Sequence, residues 1–243
     1  RLKEYSTENG TSTSFEHISI NNSTLTDNAV YCFAPGSMNK LWIGTENGIN
    51  YYLYKSKQLK TFTVTADGKK VKYVHSIHEL NDTTLWVSTV GEGIVKIILN
   101  KNGITPTVKS ATRIILDGGR LASNYFFTSF QENDSILWFG NRGYGAHRLN
   151  LETGKFTPYK FDNIVNSQMT NDIFAIYKNE NGYWFATSSG LLHFNQEDSQ
   201  HHNKVELLSK NTAHGILEDQ QNNIWISTNQ GLVRFNPKTH TSQ

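Results

Sequence analysis

The sequence predicts an all-β protein, a β-propeller of four-stranded antiparallel blades, and three observations carry that prediction. One tryptophan phrase recurs five times along the chain. Each copy sits among four short β-rich runs separated by turn residues. No stretch shows a convincing helical period.

The phrase reads Leu41-Trp42-Ile43-Gly44-Thr45, Leu85-Trp86-Val87-Ser88-Thr89, Leu137-Trp138-Phe139-Gly140-Asn141, Tyr183-Trp184-Phe185-Ala186-Thr187 and Ile224-Trp225-Ile226-Ser227-Thr228. Self-similarity at roughly 40 to 50 residues marks a propeller, solenoid or array. Before each tryptophan comes a short apolar run: Ala29 to Phe33, Val74 to Ile77, Phe126 to Phe130, Ile173 to Ile176 and Gly215 to Leu217. Turn residues such as Asn179-Glu180-Asn181-Gly182 and Asp219 to Asn223 join the two. A glycine follows the phrase and opens a third run, as in Gly48-Ile49-Asn50-Tyr51-Tyr52 and Gly190-Leu191-Leu192-His193-Phe194. A fourth run, clearest in Leu59 to Val64 and Lys155 to Tyr159, closes the unit. Four antiparallel strands in about 45 residues make one propeller blade.

Within the phrase, the tryptophan and the small residue two places on share one face, while Ile43, Val87, Phe139, Phe185 and Ile226 share the other. Both faces are apolar because each blade is sandwiched between neighbours. The small Gly, Ser or Ala leaves room for a bulky group of the next blade. The tryptophans therefore read as inter-blade core in preference to a ligand-stacking row.

Residues 1–20 parallel the third and fourth strands of a preceding blade, 21–65, 66–110, 111–161 and 162–209 are four blades, and 210–243 is an incomplete one with no fourth strand. Two constructions fit. Five blades close a ring with the Phe15 strand as the latch, or about five blades form part of a larger, seven-bladed type of propeller; the spare third strand at 1–5 favours the second.

Composition narrows the function. Of 243 residues 18% are charged, the net charge is +2 and no basic run occurs, so the footprint of a nucleic-acid binder is missing. An aromatic content of 12% excludes a disordered chain. The single Cys32 excludes an internal disulfide framework and a Cys-rich zinc site. No apolar run approaches the roughly 20 residues that span a bilayer, so no membrane contact is expected of this segment. Polarity carried by Asn, Ser and Thr suits an exported protein. The opening Arg1-Leu2-Lys3-Glu4-Tyr5 lacks the apolar core of a signal peptide, which places any export signal or anchor outside this sequence.

An Asn-led first strand, a turn with Asp, Asn or Gly, then Trp-apolar-Gly-Thr, a glycine and Leu-x-Arg-Phe-Asn resembles the two-component regulator propeller repeat. Asn171 through Asn195 and Asn211 through Asn236 match best. The resemblance implies the periplasmic sensor region of a bacterial hybrid two-component system, anchored in the inner membrane. There, consecutive propellers and a β-sandwich precede a membrane helix and a cytoplasmic histidine kinase. It also implies oligosaccharide ligands, a neighbouring propeller or β-sandwich domain as partner, and a homodimer. Gly91-Glu92-Gly93 and Gly143-Tyr144-Gly145 are one residue longer than the pattern, and Lys72 replaces the first-strand Asn.

Binding groups are expected on the loops leading into the first strands and on those joining second to third strands. The favoured ligand contacts are Asn28, Asn171 and Asn211 from one set, and Glu46, Asn47, Arg142, Tyr144 and Asn229 from the other. Amides, an arginine and an aromatic suit a sugar, whose rim needs donors and acceptors and whose face needs a ring. The plainer reading is that Asn at such places caps its own turn. No catalytic residue, cofactor or metal is expected. Glu46, Glu92 and Asp172 are the only inward acids and make no evident pair. His75 and His78, and His201-His202, lack a third ligand, and His214 is more simply structural than a proton carrier. The alternatives are a propeller enzyme, either a glycosidase or a streptogramin-type lyase, and a protein-binding scaffold.

Overall fold

The structure, a computed structural model, describes residues 2–5, 7–8, 10–15, 25–101, 104–116, 123–161, 171–194, 202–204 and 211–243. The expected blade boundaries at 20/21, 161/162 and 209/210, and His201, lie outside the described residues. The chain divides into two compact units, Arg1–Ile115 with Asn124–Phe126, and Leu116–Ser123 with Phe127–Gln243.

The first unit opens with the hairpin β1 (Leu2–Tyr5) and β2 (Ser12–Phe15), the pair the sequence predicts there. The first blade is β3 (Val30–Gly36), β4 (Lys40–Thr45), β5 (Gly48–Leu53) and β6 (Gln58–Phe62). A small hairpin, β7 (Thr65–Ala66) and β8 (Lys69–Lys70), precedes the second blade of β9 (Val74–Asn81), β10 (Thr84–Thr89), β11 (Ile94–Leu99) and β12 (Val108–Ile114). In the second unit the third blade is β13 (Phe126–Asn133), β14 (Ile136–Asn141), β15 (Ala146–Asn150) and β16 (Phe156–Tyr159). The fourth is β17 (Ile173–Asn179), β18 (Gly182–Thr187), β19 (Gly190–Phe194) and β20 (His202–Lys204). The fifth is β21 (Ala213–Glu218), β22 (Ile224–Thr228), β23 (Gly231–Asn236) and β24 (Thr241–Ser242).

All five are four-stranded meanders in chain order, the blades of a β-propeller. Two details depart from expectation. The fourth strand of the second blade runs on to Ile114, past residue 110, and the fifth blade does have a fourth strand, because β24 pairs Phe235 with Ser242 and Asn236 with Thr241. Two residues of strand between polar neighbours leave no periodicity to read.

Local chemistry sets the first turn of the blades. Asn81 Oδ1 accepts from Thr83 N at 3.0 Å, Asn133 Oδ1 from Ser135 N at 2.9 Å, Asn179 Oδ1 from Asn181 N at 3.0 Å and Asp219 Oδ1 from Gln221 N at 2.9 Å. Each is a side chain closing its own turn between first and second strands.

In three blades the tryptophan face packs against the next blade as predicted, whereas Trp225 of the fifth is only half-buried. Trp42 shares a cluster with Val74, Ile77, Leu85 and Val87 of the second blade. Trp138 packs with Ile173, Ile176, Tyr183 and Phe185 of the fourth, and Trp184 with Ala213, Ile224, Ile226 and Phe235 of the fifth. The small residue two places on is a steric demand. A Cβ on Gly44 would stand 2.6 Å from Val74 O, and one on Gly140 2.6 Å from Ile173 O, so the next blade's backbone occupies that space.

Four of the tryptophans also carry a polar latch. The indole Nε1 of Trp138 donates to Glu132 at 2.7 Å, that of Trp184 to Asn179 at 3.1 Å and that of Trp225 to Asp219 at 2.8 Å, all acceptors from the same blade. In the first blade Gly36 stands at the end of the first strand instead. The indole of Trp42 donates to Glu79 of the second blade, whose other oxygen accepts from Ser37 N at 2.8 Å. A Cβ on Gly36 would lie 2.7 Å from that indole nitrogen, so the missing side chain makes room for the neighbour's carboxylate. Lys178 and Glu218 reach back across their seams in the same way. Lys178 Nζ meets Glu132 at 2.8 Å, and Glu218 accepts from Tyr177 OH at 2.5 Å and Asn179 Nδ2 at 3.1 Å.

Candidate ligand-binding loop face

The loops joining second to third strands are built by the last residue of the tryptophan phrase. Its hydroxyl bends back on the turn: Thr45 Oγ1 donates to Gly48 O at 3.1 Å, Thr89 to Gly93 O at 2.6 Å, Thr187 to Gly190 O at 2.8 Å and Thr228 to Gly231 O at 2.9 Å. The closing glycines at 48, 190 and 231 sit at φ between 114° and 136°, which excludes a side chain without strain. In the third repeat Asn141 replaces threonine, and its side chain instead takes Ser123 Oγ at 2.9 Å and gives Nδ2 to Ser123 O at 2.6 Å.

These loops are bonded to the segments leading into the first strands, as the sequence predicts. Tyr73 N donates to Glu46 O at 2.7 Å, Gly91 N and Gly93 N share Asn124 O at 2.9 and 3.0 Å, and Gly145 N donates to Asn171 O at 2.8 Å. Thr212 Oγ1 donates to Ser188 O at 3.2 Å. Each bond fastens one blade's loop to the start of the next blade, so within each unit the two loop sets form one surface.

The predicted contacts divide on that surface. Asn28 and Arg142 are exposed, and the Arg142 carbonyl accepts from Ser123 Oγ at 2.9 Å. Glu46 and Asn47 are half-buried; Asn47 Nδ2 donates to Asp27 Oδ2 at 2.6 Å. Tyr144 is half-buried with Lys160 Nζ 4.9 Å above its ring. Asn211 is half-buried and Asn229 exposed. Asn171 is 2% exposed, and its Oδ1 accepts from Phe161 N at 2.8 Å, so its amide ties the entry of the fourth blade to the chain leaving the third.

The sequence reading missed a row of rings on the first strands. In four blades the register of the first strand slips beside its second residue: between Val30 and Cys32, Val74 and Ser76, Ile173 and Ala175, and Ala213 and Gly215. The extra residue of each bulge is Tyr31, His75, Phe174 or His214, and Phe127 stands at the same place in the third repeat. A bulge on an edge strand turns one side chain away from the alternation of the sheet. These rings meet across seams. Tyr31 and His75 stack at 4.2 Å and 20°, Phe127 and Phe174 lie 5.1 Å apart, and Phe174 and His214 5.5 Å apart. Their polar tips touch the predicted loop residues: Tyr31 OH donates to Glu46 at 3.3 Å, and His214 Nε2 lies 2.6 Å from Asn229 Oδ1. The signal was available as a ring at the second residue of each first strand, Tyr31, His75, Phe127, Phe174 and His214.

Electrostatics offer little for catalysis. Glu92 is ion-paired to Arg113 at 2.9 Å, Asp172 accepts from Ser188 Oγ at 2.9 Å, and Glu46 accepts from Tyr31, so the three acids have separate partners. Burial, then the Glu46 carboxylate, push the Tyr31 phenol up, and burial pushes the His75 imidazole down. Burial pushes the Cys32 thiol up to about 12, far from a reactive thiolate. Among the described residues no group of three or more His, Cys, Asp or Glu is arranged to hold a metal ion.

Fold and loop face together define a β-propeller whose repeats present, within each unit, a polar and aromatic surface. The two-component regulator propeller model matches residues 24–47 and 207–230. Histidine kinase P4 of Formosa agariphila is 28% identical across 69% of this chain, which spans 12% of that protein. The fold is that of two solved extracellular domains from B. thetaiotaomicron. One, assigned to a hybrid two component system, aligns with TM-score 0.73 and 22% identity over 95% of this chain and 30% of its own. The other, assigned to a one component system, aligns with TM-score 0.75 and 19% identity over 97% of this chain and 32% of its own.

Proposed function

We propose that this chain is a non-catalytic, ligand-sensing propeller segment of a periplasmic sensor in a hybrid two-component system, and that it responds to an oligosaccharide. The repeat match at 24–47 and 207–230 carries the reading, because these repeats come with the likeness to a histidine kinase over most of the chain. The loop face supports the ligand class: amides, carboxylates and rings supply the acceptors, donors and flat apolar surface a sugar requires. The segment acts with a neighbouring propeller or β-sandwich domain and as a homodimer, without nucleic acid, membrane contact, metal or cofactor of its own. Ligand transmits a signal only by binding one arrangement of these domains more tightly than another.

Isothermal titration of the intact sensor region against a panel of plant, algal and host oligosaccharides tests this. Saturable binding to one class supports the reading; no heat from any member sinks the oligosaccharide.

A further inference from the structure

The rings on the bulged positions lie on neither sandwiched face of their blades. A core residue of a blade lies on one of the two sandwiched faces, as Trp42 and Ile43 do at full burial. Tyr31 instead is 42% exposed, His214 is exposed, and His75, Phe127 and Phe174 are half-buried. Solvent-facing aromatic surface repeated at one register position in neighbouring blades is a feature of binding surfaces. The rings are also held in place: Tyr31 by its stack on His75 and its bond to Glu46, Phe174 between Phe127 and His214, and His214 by Asn229. A ring already fixed loses little freedom when a ligand stacks on it.

Resting on the oligosaccharide reading above, we propose that these bulged rings are the platform on which sugar faces stack, and that the sugars bound at the Tyr31–His75 pair are uncharged pyranoses. The stacked pair offers the apolar side of a pyranose a flat partner. Glu46 borders it through the Tyr31 hydroxyl, and Asp27 lies beside it, bonded to Ala29 N at 2.8 Å and to Asn47. Carboxylates accept from sugar hydroxyls, and they repel the carboxylates or sulfates of an acidic sugar. In the second unit Phe127, Phe174 and His214 form a separate row of the same kind, with the Asn229 amide at its end.

The experiment is titration calorimetry of the full chain with cellohexaose, mannohexaose and hexagalacturonate, on the parent and on Tyr31→Ala, His75→Ala and the control Tyr54→Ala, which changes an exposed ring outside the row. The expected result is that an uncharged hexamer binds, that Tyr31→Ala and His75→Ala each weaken it at least tenfold, that Tyr54→Ala leaves it unchanged, and that hexagalacturonate binds at least tenfold more weakly. In parallel, resonances of the Tyr31 and His75 rings in the unmodified chain are followed during titration, a readout that needs no variant to fold. Uncharged binding that moves neither ring nor responds to either substitution overturns the platform and leaves the oligosaccharide reading standing. Tighter binding of hexagalacturonate overturns the uncharged class. Silence from all three probes overturns the platform together with the reading beneath it.

Discussion

The fourth and fifth blades carry almost the same phrase and fold to the same register, yet their tryptophan faces differ. Tyr177 pairs with Trp184 where Leu217 pairs with Trp225, and Leu191 pairs with Ala186 where Leu232 pairs with Ser227. In the fourth blade Trp184 and Leu191 are 3% and 0% exposed beneath the fifth. In the fifth, Leu217 and Leu232 are 68% and 63% exposed, and with Gly215, Trp225 and Ser227 they line an apolar hollow. The phrase thus specifies a surface and the neighbouring blade turns it into core. Stability in such an array is shared between each repeat and its interface with the next.

Four expected outcomes follow from this difference between covered and open faces. Leu191→Asp should cost about 4 kcal/mol, since it buries an unpaired charge, whereas Leu232→Asp should change stability by no more than about 0.5 kcal/mol; urea unfolding of the two variants reads the difference directly. Gly140→Val forces a side chain against Ile173 O and should cost about 3 kcal/mol, while Ser227→Val on the open face should be near neutral in the same assay. A third expectation concerns acid. Burial, and then the Lys160 cation, push buried His147 down to about 4, so the folded chain resists a proton that the unfolded chain accepts near 6.5. Stability from this neutral imidazole is whole above 6.5 and declines as pH falls through about 4, by on the order of 3 kcal/mol in all. His147→Leu should flatten that stretch of a stability-against-pH curve, and an unchanged slope would refute the assignment.

The smallest expected effect lies in the latches. Glu132 is half-buried at the seam of the third and fourth blades; burial alone would raise its carboxyl, but Lys178, Trp138 and Tyr183 hold it below the ordinary value. Its contribution is present above about 4.5 and is lost as pH falls through the lowered folded value. Glu132→Gln should cost about 2 kcal/mol at neutral pH and remove that acid dependence. A Glu132→Gln, Lys178→Met double-mutant cycle measures the coupling, and near-zero coupling would show the pair to be incidental. Asp219, at the matching place in the fifth blade, is held down to about 2 by Asn223 first and then Trp225, both from its own blade.

Much of this was legible in the residues. The tryptophan phrase, its two faces and the small residue behind the tryptophan gave the blades and their packing, because alternation and close packing are local demands that Gly44 and Gly140 satisfy in sequence. The loop face was legible in outline, since Thr-x-x-Gly turns repeat at visible spacing. What escaped was long-range or too short. Glu79 latches Trp42 from 37 residues away, and nothing near Trp42 announces it except Gly36. Strand β24 is two residues long, and Asn171 looks the same in sequence whether its amide meets Phe161 or a ligand. The bulges escaped because an extra residue in a run of five or so is indistinguishable from ordinary strand until its partner is seen.

A side chain on either sandwiched face is constrained by two blades at once, so changing it disturbs folding before it alters anything else. The extra residue at 31, 75, 174 or 214 answers to neither face. Such a position carries Tyr, Phe or His from repeat to repeat without each difference having to be compensated in the core. Copying a blade then multiplies the scaffold faithfully while leaving one position per copy free to vary.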